Sequence, residues 1–274
     1  MLNLSGRYRS VLFGVSVSTV VAAALAVHAQ SGSATWQASG NDLTDSRSQS
    51  SENTISPSNV SKLTPMWSYT TQGDVSVTPT VDSTAVYFPD WGGNMYAVDR
   101  NTGKLIWTHT IATYNGVSGS ISRNSPAIYG KDIIFGDVQS TTKPHSGANV
   151  IAVSRDTGTI HWMTKVDSHL AAVITGPPVV AGNIVLVGVS SSEESLADQA
   201  GYVCCTFRGS IVALNADTGK MMWQRYTVPD NGGQTGGYSG GAVWQPAAVD
   251  MSRGIAYIGT GNNYTAPQSV EDCQ

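Results

Sequence analysis

Ala97-Val98-Asp99-Arg100-Asn101-Thr102-Gly103-Lys104-Leu105-Ile106-Trp107 occurs three times in this chain, with changes. The second copy is Ala152-Val153-Ser154-Arg155-Asp156-Thr157-Gly158-Thr159-Ile160-His161-Trp162. The third is Ala213-Leu214-Asn215-Ala216-Asp217-Thr218-Gly219-Lys220-Met221-Met222-Trp223. The shared frame is Ala, an apolar residue, Asp, Asn or Ser, two variable residues, Thr-Gly, three more residues and Trp. The tryptophans fall 55 residues apart (162 − 107) and then 61 apart (223 − 162). Self-similarity at such a period marks a repeat architecture. Each copy predicts a hairpin: an apolar strand, a turn with Gly in the positive-φ position, and a second strand leading to Trp. A tryptophan at the same place in every unit is suited to lie flat between neighbouring sheets, and the units must then stack to cover one another.

Upstream of each frame a proline introduces a β-rich run: Pro79 through Val86-Tyr87-Phe88, Pro126 through Ile133-Ile134-Phe135, and Pro178 through Ile184-Val185-Leu186-Val187. A fourth run leads from Pro246 to Ile255-Ala256-Tyr257-Ile258. Proline suits the entrance to a strand better than its middle. Four short strands per unit predict the blades of an all-β propeller. The 3.6-residue apolar stripes of a helical repeat are missing.

The 274 residues include 29 glycines, and only 12% are charged, as in turn-rich β structure. A net charge of −4 and the lack of a basic cluster argue against a nucleic-acid surface. Residues 1–29 read as a signal peptide. Arg7 and Arg9 form its positive region, Val11 to Leu25 its apolar region, and Val27-His28-Ala29 the cleavage site, after Ala29. Those fifteen apolar residues (25 − 11 + 1) are short for a membrane span. Export to the periplasm or medium is the expectation, and a disulfide is then permitted between any of Cys204, Cys205 and Cys273. Cys-x-x-Cys-His is missing, so no c-type haem attaches to this stretch.

Residues 30–65 are polar and predict an irregular lead-in segment anchored by Trp36 and Leu43, with one helical turn near Asn59 to Leu63. Met66-Trp67-Ser68-Tyr69 reads as the first strand of a partial propeller over 66–274. Its units run over about 66–107, 108–162, 163–223 and, incomplete, 224–274. Three and a half units do not close a ring and hide its edges, so a truncated piece of a longer protein is expected.

The unusual residues lie in the third and fourth units: Gly188-Val189-Ser190-Ser191-Ser192-Glu193-Glu194, Cys204-Cys205-Thr206-Phe207-Arg208-Gly209, Pro229-Asp230-Asn231-Gly232-Gly233, Gly236-Gly237-Tyr238, Trp244, and Gly259-Thr260-Gly261-Asn262. With these the chain resembles the pyrroloquinoline quinone (PQQ)-dependent alcohol dehydrogenases, and most of all their polyvinyl-alcohol-dehydrogenase-like branch. The resemblance covers nearly all of the mature chain, from Trp36 onward.

The resemblance implies an eight-bladed propeller with the quinone and a calcium ion at its centre. It implies Glu193 and Asn262 as calcium ligands and Trp244 as the platform on which the quinone stacks. Thr175, Ser190 and Arg123 would hold the quinone's carboxylates. A Cys204–Cys205 disulfide would lie against its other face. In methanol-oxidising members the paired cysteines sit earlier, before the arginine matched by Arg123, and a threonine stands where this chain has Ala242. The catalytic aspartate is expected beyond residue 274. The implied reaction oxidises an alcohol, secondary hydroxyls of a polymer such as polyvinyl alcohol among the candidates, and passes electrons to cytochrome c or a similar acceptor.

The residues match the chemistry of those roles. Calcium takes hard oxygen ligands, it polarises a carbonyl, and an indole is the largest flat apolar platform. Glu194 is the alternative to Glu193. Asp99, Asp156 and Asp217 read as turn residues, and His109, His145, His161 and His169 lack metal-ligand spacing. The rival reading is a non-catalytic propeller of the outer-membrane assembly type that binds protein partners.

Overall fold

Each Thr-Gly frame is the turn of a hairpin in the computed structural model, which describes residues 35–138 and 143–272. Asp99 Oδ1 accepts from the amides of Asn101 and Thr102 and from the Thr102 hydroxyl. Asn215 does the same for Asp217 and Thr218, and the Ser154 hydroxyl accepts from the Asp156 amide. Gly103, Gly158 and Gly219 follow at φ of 68°, 70° and 69°, a region closed to most other residues.

The first sheet joins β1 (Thr80–Val81), β2 (Ala85–Pro89), β3 (Asn94–Asp99) and β4 (Leu105–Thr110) in chain order, antiparallel throughout. Helix α1 (Ile111–Asn115) leads to the second sheet, β5 (Ala127–Tyr129), β6 (Asp132–Gly136), β7 (Asn149–Ser154) and β8 (Ile160–Lys165). In the third, β9 (Ala172–Val173) pairs with the far end of β11 (Ile184–Ser191), and β10 (Val179–Ala181) pairs with its near end. Helix α2 (Glu193–Ala197) follows β11, then β12 (Ser210–Asn215) and β13 (Met221–Tyr226) complete that sheet. Beyond it, β14 (Ser239–Gly240) pairs with β17 (Asn263–Thr265), and β15 (Ala248–Asp250) with β16 (Ile255–Tyr257), before the short α3 (Gln268–Glu271).

The central strands are buried on both faces and serve two cores. Ile133 and Phe135 of β6 pack with Tyr87, Met95 and Trp107 of the preceding sheet and with Tyr114 of α1. Ile134 between them packs with Trp162 of its own sheet and with Val185, Val187 and Leu214 of the following one. That split is the two-residue alternation of a strand.

The tryptophans join the sheets. Trp107 and Trp162 are 7% and 9% exposed. Each indole N–H donates to the carbonyl three residues before the next frame's glycine: Trp107 to Arg155 at 2.7 Å, Trp162 to Ala216 at 2.9 Å. Each ring lies over that glycine, where a Cβ would come within 2.7 Å of the Trp107 ring and 2.5 Å of the Trp162 ring. Trp67 docks identically, donating to Arg100 at 2.8 Å and covering Gly103. The strand predicted from Met66 is absent, however: residues 66–69 pair with no ladder among the described residues, and the first sheet begins at Thr80.

The lead-in segment is anchored as expected. Trp36 and Val81 exchange backbone bonds at 2.8 and 2.7 Å. Leu43 accepts from the Val249 amide at 2.6 Å and packs on Val179, Leu186, Ala213 and Ala247. A 3-10 turn covers Val60–Lys62. The signal peptide expected over 1–29, its cleavage after Ala29, and Cys273 lie outside the described residues.

Candidate functional site

The connection from second to third strand differs between the sheets. In the first two it is closed by a buried acid at the end of the second strand: Asp90 accepts from the Asn94 amide at 2.8 Å, and Asp137 from the Asn149 amide at 2.8 Å. The Asn149 and Asn115 side chains also donate to Asp137, but burial dominates and pushes its carboxyl above the ordinary value. In the third sheet the matching ladder positions are Val189 and Ser210. Strand β11 runs on to Ser191, and residues 192–209 form a long excursion carrying the paired cysteines.

Thr175 and Ser190 meet where β11 overruns its partner, their hydroxyls 2.7 Å apart. Ser190 is 2% exposed. Asn124 donates to the Ile174 carbonyl at 2.9 Å, so Arg123 and Thr175 flank one joint. The exposed Arg123 guanidinium lies 5.3 Å from the Trp91 ring centroid and, among the described residues, pairs with no carboxylate. A guanidinium in that state is a ready partner for an anionic group.

Trp244 sits on the chain segment laid against β11, where Val243 donates to the Val189 carbonyl at 3.1 Å. Gly176 and Gly188 allow that close approach: a Cβ on Gly176 would stand 2.8 Å from the Trp244 carbonyl carbon, and one on Gly188 2.5 Å from Val243. The indole is 46% exposed, unlike the docking tryptophans. Gly261 lies at its edge, and its amide donates to the Ala242 carbonyl at 2.7 Å.

Asn262 follows, and the acid it meets is Glu194, not Glu193. The Asn262 amide donates to Glu194 Oε1 at 3.3 Å and to the Asn263 carbonyl at 3.1 Å. Both side chains lie at the surface. Glu193 is fully buried, and both its oxygens are occupied within the chain. Oε1 accepts from the Tyr202 hydroxyl and the Thr206 amide, each at 2.8 Å, and Oε2 from the Phe207 amide at 2.9 Å. Adjacent residues on a helix point about 100° apart, so one of the two acids turns inward when the other faces out.

Cys204 and Cys205 are bonded to one another. Cys205 is fully buried and Cys204 partly so. Just beyond them, Phe207 packs against Tyr264 with centroids 6.5 Å apart and against His169 at 5.5 Å. The Tyr264 hydroxyl meets Ser191 at 3.3 Å. Asn231 of the Gly-rich loop donates to the Thr206 carbonyl at 3.0 Å. His169 Nδ1 accepts from the Ala171 amide, which leaves Nε2–H to donate to Thr206 Oγ1 at 3.0 Å. Burial lowers the His169 pKa, against the nearby Glu193 charge, and raises that of Tyr202.

The third sheet and the 242–265 segment thus bring together a hydroxyl pair, a half-exposed indole and a carboxylate–amide pair. Arg123 stands one residue from the same joint. The sequence singled out Thr175, Ser190, Trp244, Asn262 and the cysteine pair. It did not single out Tyr264, Tyr202, His169 or Asn124, although Asn124 lies beside Arg123 in the Ser122–Pro126 run.

A half-exposed indole, a hydroxyl pair and a guanidinium are residue types suited to a planar, polycarboxylated cofactor. The metal chemistry is narrower. Glu193 is buried and accepts from Tyr202, Thr206 and Phe207, with His169 Nε2 3.7 Å from its Oε1, whereas Glu194 and Asn262 lie at the surface in contact with each other. Among the described residues no three His, Cys, Asp or Glu side chains gather as a metal site. Since calcium takes 6–8 oxygens, a bound ion here would draw further ligands from the cofactor and water.

No helix among the described residues is long and apolar enough to cross a membrane. Residues 36–267 match the family described as glucose/ethanol/alcohol dehydrogenase, PQQ-type β-propeller domain. A polyvinylalcohol dehydrogenase of a Pseudomonas species is 28% identical over 242 residues, 84% of this chain and 36% of that protein. Another, from Sphingopyxis sp., is 31% identical over 215 residues, 75% of this chain and 32% of that protein. The structure of a quinohemoprotein alcohol dehydrogenase from Pseudomonas putida superposes with a TM-score of 0.68 at 25% identity, covering 84% of this chain and 35% of that one. The chain therefore spans about a third of the length of the curated relatives it matches. The repeated tryptophan sheets and the 36–267 match identify it as a member of the PQQ-dependent alcohol dehydrogenase β-propeller family, of the polyvinyl-alcohol-dehydrogenase-like branch.

Proposed function

We propose that this chain contributes the quinone- and calcium-binding blades of an exported dehydrogenase that oxidises alcohols, secondary hydroxyls of a polymer among them, to carbonyls. The observation that supports the reading is that the segments carrying Thr175–Ser190, Trp244 and Glu194–Asn262 are bonded directly to one another, Val243 to Val189 and Gly261 to Ala242. A non-catalytic scaffold has no use for a half-exposed indole flanked by hydroxyls and a carboxylate–amide pair.

PQQ, when bound, accepts the two electrons of alcohol oxidation, with calcium as the Lewis acid on its carbonyl. The chain's own side chains bind and orient. Trp244 offers its flat face for stacking, and the tight seating of its backbone on Gly176 and Gly188 fixes the ring plane. Thr175 and Ser190, whose hydroxyls meet at 2.7 Å, are the donors for a carboxylate, and Arg123, which pairs with no carboxylate among the described residues, supplies a positive charge. Glu194 and Asn262 supply the oxygen ligands for the ion. Cytochrome c, or an acceptor like it, takes the electrons onward.

Mixing the protein with PQQ and calcium tests this directly. We expect saturable quinone binding, seen as a change in its visible spectrum, that requires calcium and weakens at least tenfold in Glu194→Gln and Asn262→Ala. Dye-linked oxidation of polyvinyl alcohol and of simple secondary alcohols tests the reaction. Quinone binding that persists unchanged in both variants and without calcium overturns the assignment.

A further inference from the structure

We infer that Trp91 is a positioning residue for the quinone site: its ring face holds the Arg123 guanidinium in place and leaves the charge and the N–H donors free for an anionic group. Arg123 is exposed, and its guanidinium carbon lies over the Trp91 ring, 5.3 Å from the centroid. That is within the ~6 Å reach of a cation–π contact. A carboxylate partner would neutralise the charge and occupy donors, whereas a π face does neither.

Trp91 has no packing duty that accounts for it. It is 43% exposed, stands outside the Thr-Gly frames and, among the described residues, joins none of the buried cores. It is nevertheless fixed at both ends. Its amide donates to the Asp74 carbonyl at 2.9 Å, and its indole N–H donates to Ser76 Oγ at 2.8 Å. The residue before it, Asp90, is buried and accepts from the Gln72 and Gly73 amides and the Tyr96 hydroxyl. The segment that holds the indole is itself tied to the chain just past Arg123, because the Thr78 amide donates to Ser125 Oγ at 3.0 Å.

The backbone brings the pair together as well. At Gly93, φ 84°, a Cβ would stand 2.8 Å from the Ser120 carbonyl oxygen, so the turn after β2 lies directly on the segment leading to Arg123. Asn124 fastens the next residue, donating to the Gly136 and Ile174 carbonyls at 3.0 and 2.9 Å. Asn124 thus sets the backbone of Arg123, and Trp91 sets its long side chain. A side chain immobilised before it meets its ligand contributes about a fivefold gain in affinity. The inference rests on the quinone-site reading for the identity of the anion; the Trp91–Arg123 pair is a contact within the protein.

Two measurements on the full-length protein test it. The first is PQQ affinity by spectral titration with calcium present. Arg123→Gln should weaken binding about tenfold and Trp91→Ala about fivefold. Trp91→Phe, which keeps a π face, should stay within about twofold of the parent. In the Arg123→Gln background Trp91→Ala should have no further effect, a non-additivity that a merely structural role would not produce. Val75→Ala, exposed on the same segment, should bind as the parent does. The second measurement needs no quinone. The Arg123 Nε–Hε NMR signal, identified by its loss in Arg123→Gln, should carry the ring-current shift of an indole and lose it in Trp91→Ala. Parent-like PQQ affinity in Trp91→Ala, an equal effect of Trp91→Ala in both backgrounds, or an Arg123 signal indifferent to Trp91→Ala overturns the inference. Parent-like binding by Arg123→Gln overturns it together with the part of Arg123 in the quinone site. Failure of the parent to bind PQQ overturns the quinone-site reading alone, because the Arg123 signal still reports on the pair.

Discussion

Replacing Trp162 by alanine should cost this protein about 4 kcal/mol of stability. The indole is 9% exposed, so it buries nearly all of the ~150–250 Å² typical of an aromatic side chain. At ~25 cal/mol per Å² this is about 4–6 kcal/mol, an upper figure because the unfolded chain already hides part of that surface. The Ala216 carbonyl also loses its donor, worth about 1 kcal/mol. Urea unfolding followed by far-UV circular dichroism measures the loss, and for a chain of this size Tm should fall by roughly 2–4 °C per kcal/mol. Trp223 is the internal reference. It occupies the same place in its frame but is 38% exposed, so alanine there should cost about two-thirds as much. Equal losses at Trp162 and Trp223 would refute the claim that burial between sheets, rather than place in the hairpin, gives the repeated tryptophan its value.

The glycine beneath that ring is a second test. Gly219→Ala meets both a left-handed backbone at φ 69° and the Trp162 ring at 2.5 Å, whereas Gly254→Ala meets only the backbone cost at φ 65° with open space around it. The first should cost at least about 1 kcal/mol more than the second in the same urea assay. His169 predicts a pH dependence. Its pKa is lowered in the folded state, so the unfolded chain binds the proton more readily below the ordinary value of 6.5. Stability should therefore decline as pH falls from 6.5 through the folded value, and His169→Gln should flatten that part of the curve of urea midpoint against pH. Trp244→Ala should cost little stability, since the ring is 46% exposed, but should weaken PQQ binding on the order of tenfold or more in a spectral titration.

The hairpins were legible in the sequence because their causes are local. Asp99 and Asn215 cap their own turns, and Gly103, Gly158 and Gly219 take the conformation that other residues avoid, all within five residues of chain. The sheets followed because a repeated tryptophan needs a repeated neighbour. The first strand was misread because Trp67 carries the docking signal without ladder partners for residues 66–69. A tryptophan frame reports how a residue packs, not which strand lies beside it.

What the sequence determined alone is the repeat, its turns and the family to which the chain belongs. Tertiary structure decided which of two neighbouring acids is buried and which is exposed. Glu193 and Glu194 are identical in kind and adjacent in the chain, and no spacing rule separates them. The return of residues 202–207 over the start of α2 surrounds one carboxylate with donors, and the approach of Asn262 from 68 residues away (262 − 194) leaves the other at the surface beside an amide. The physical reason is that burial and hydrogen-bond partners belong to the packed chain, and they make one of two equal side chains internal and the other exposed.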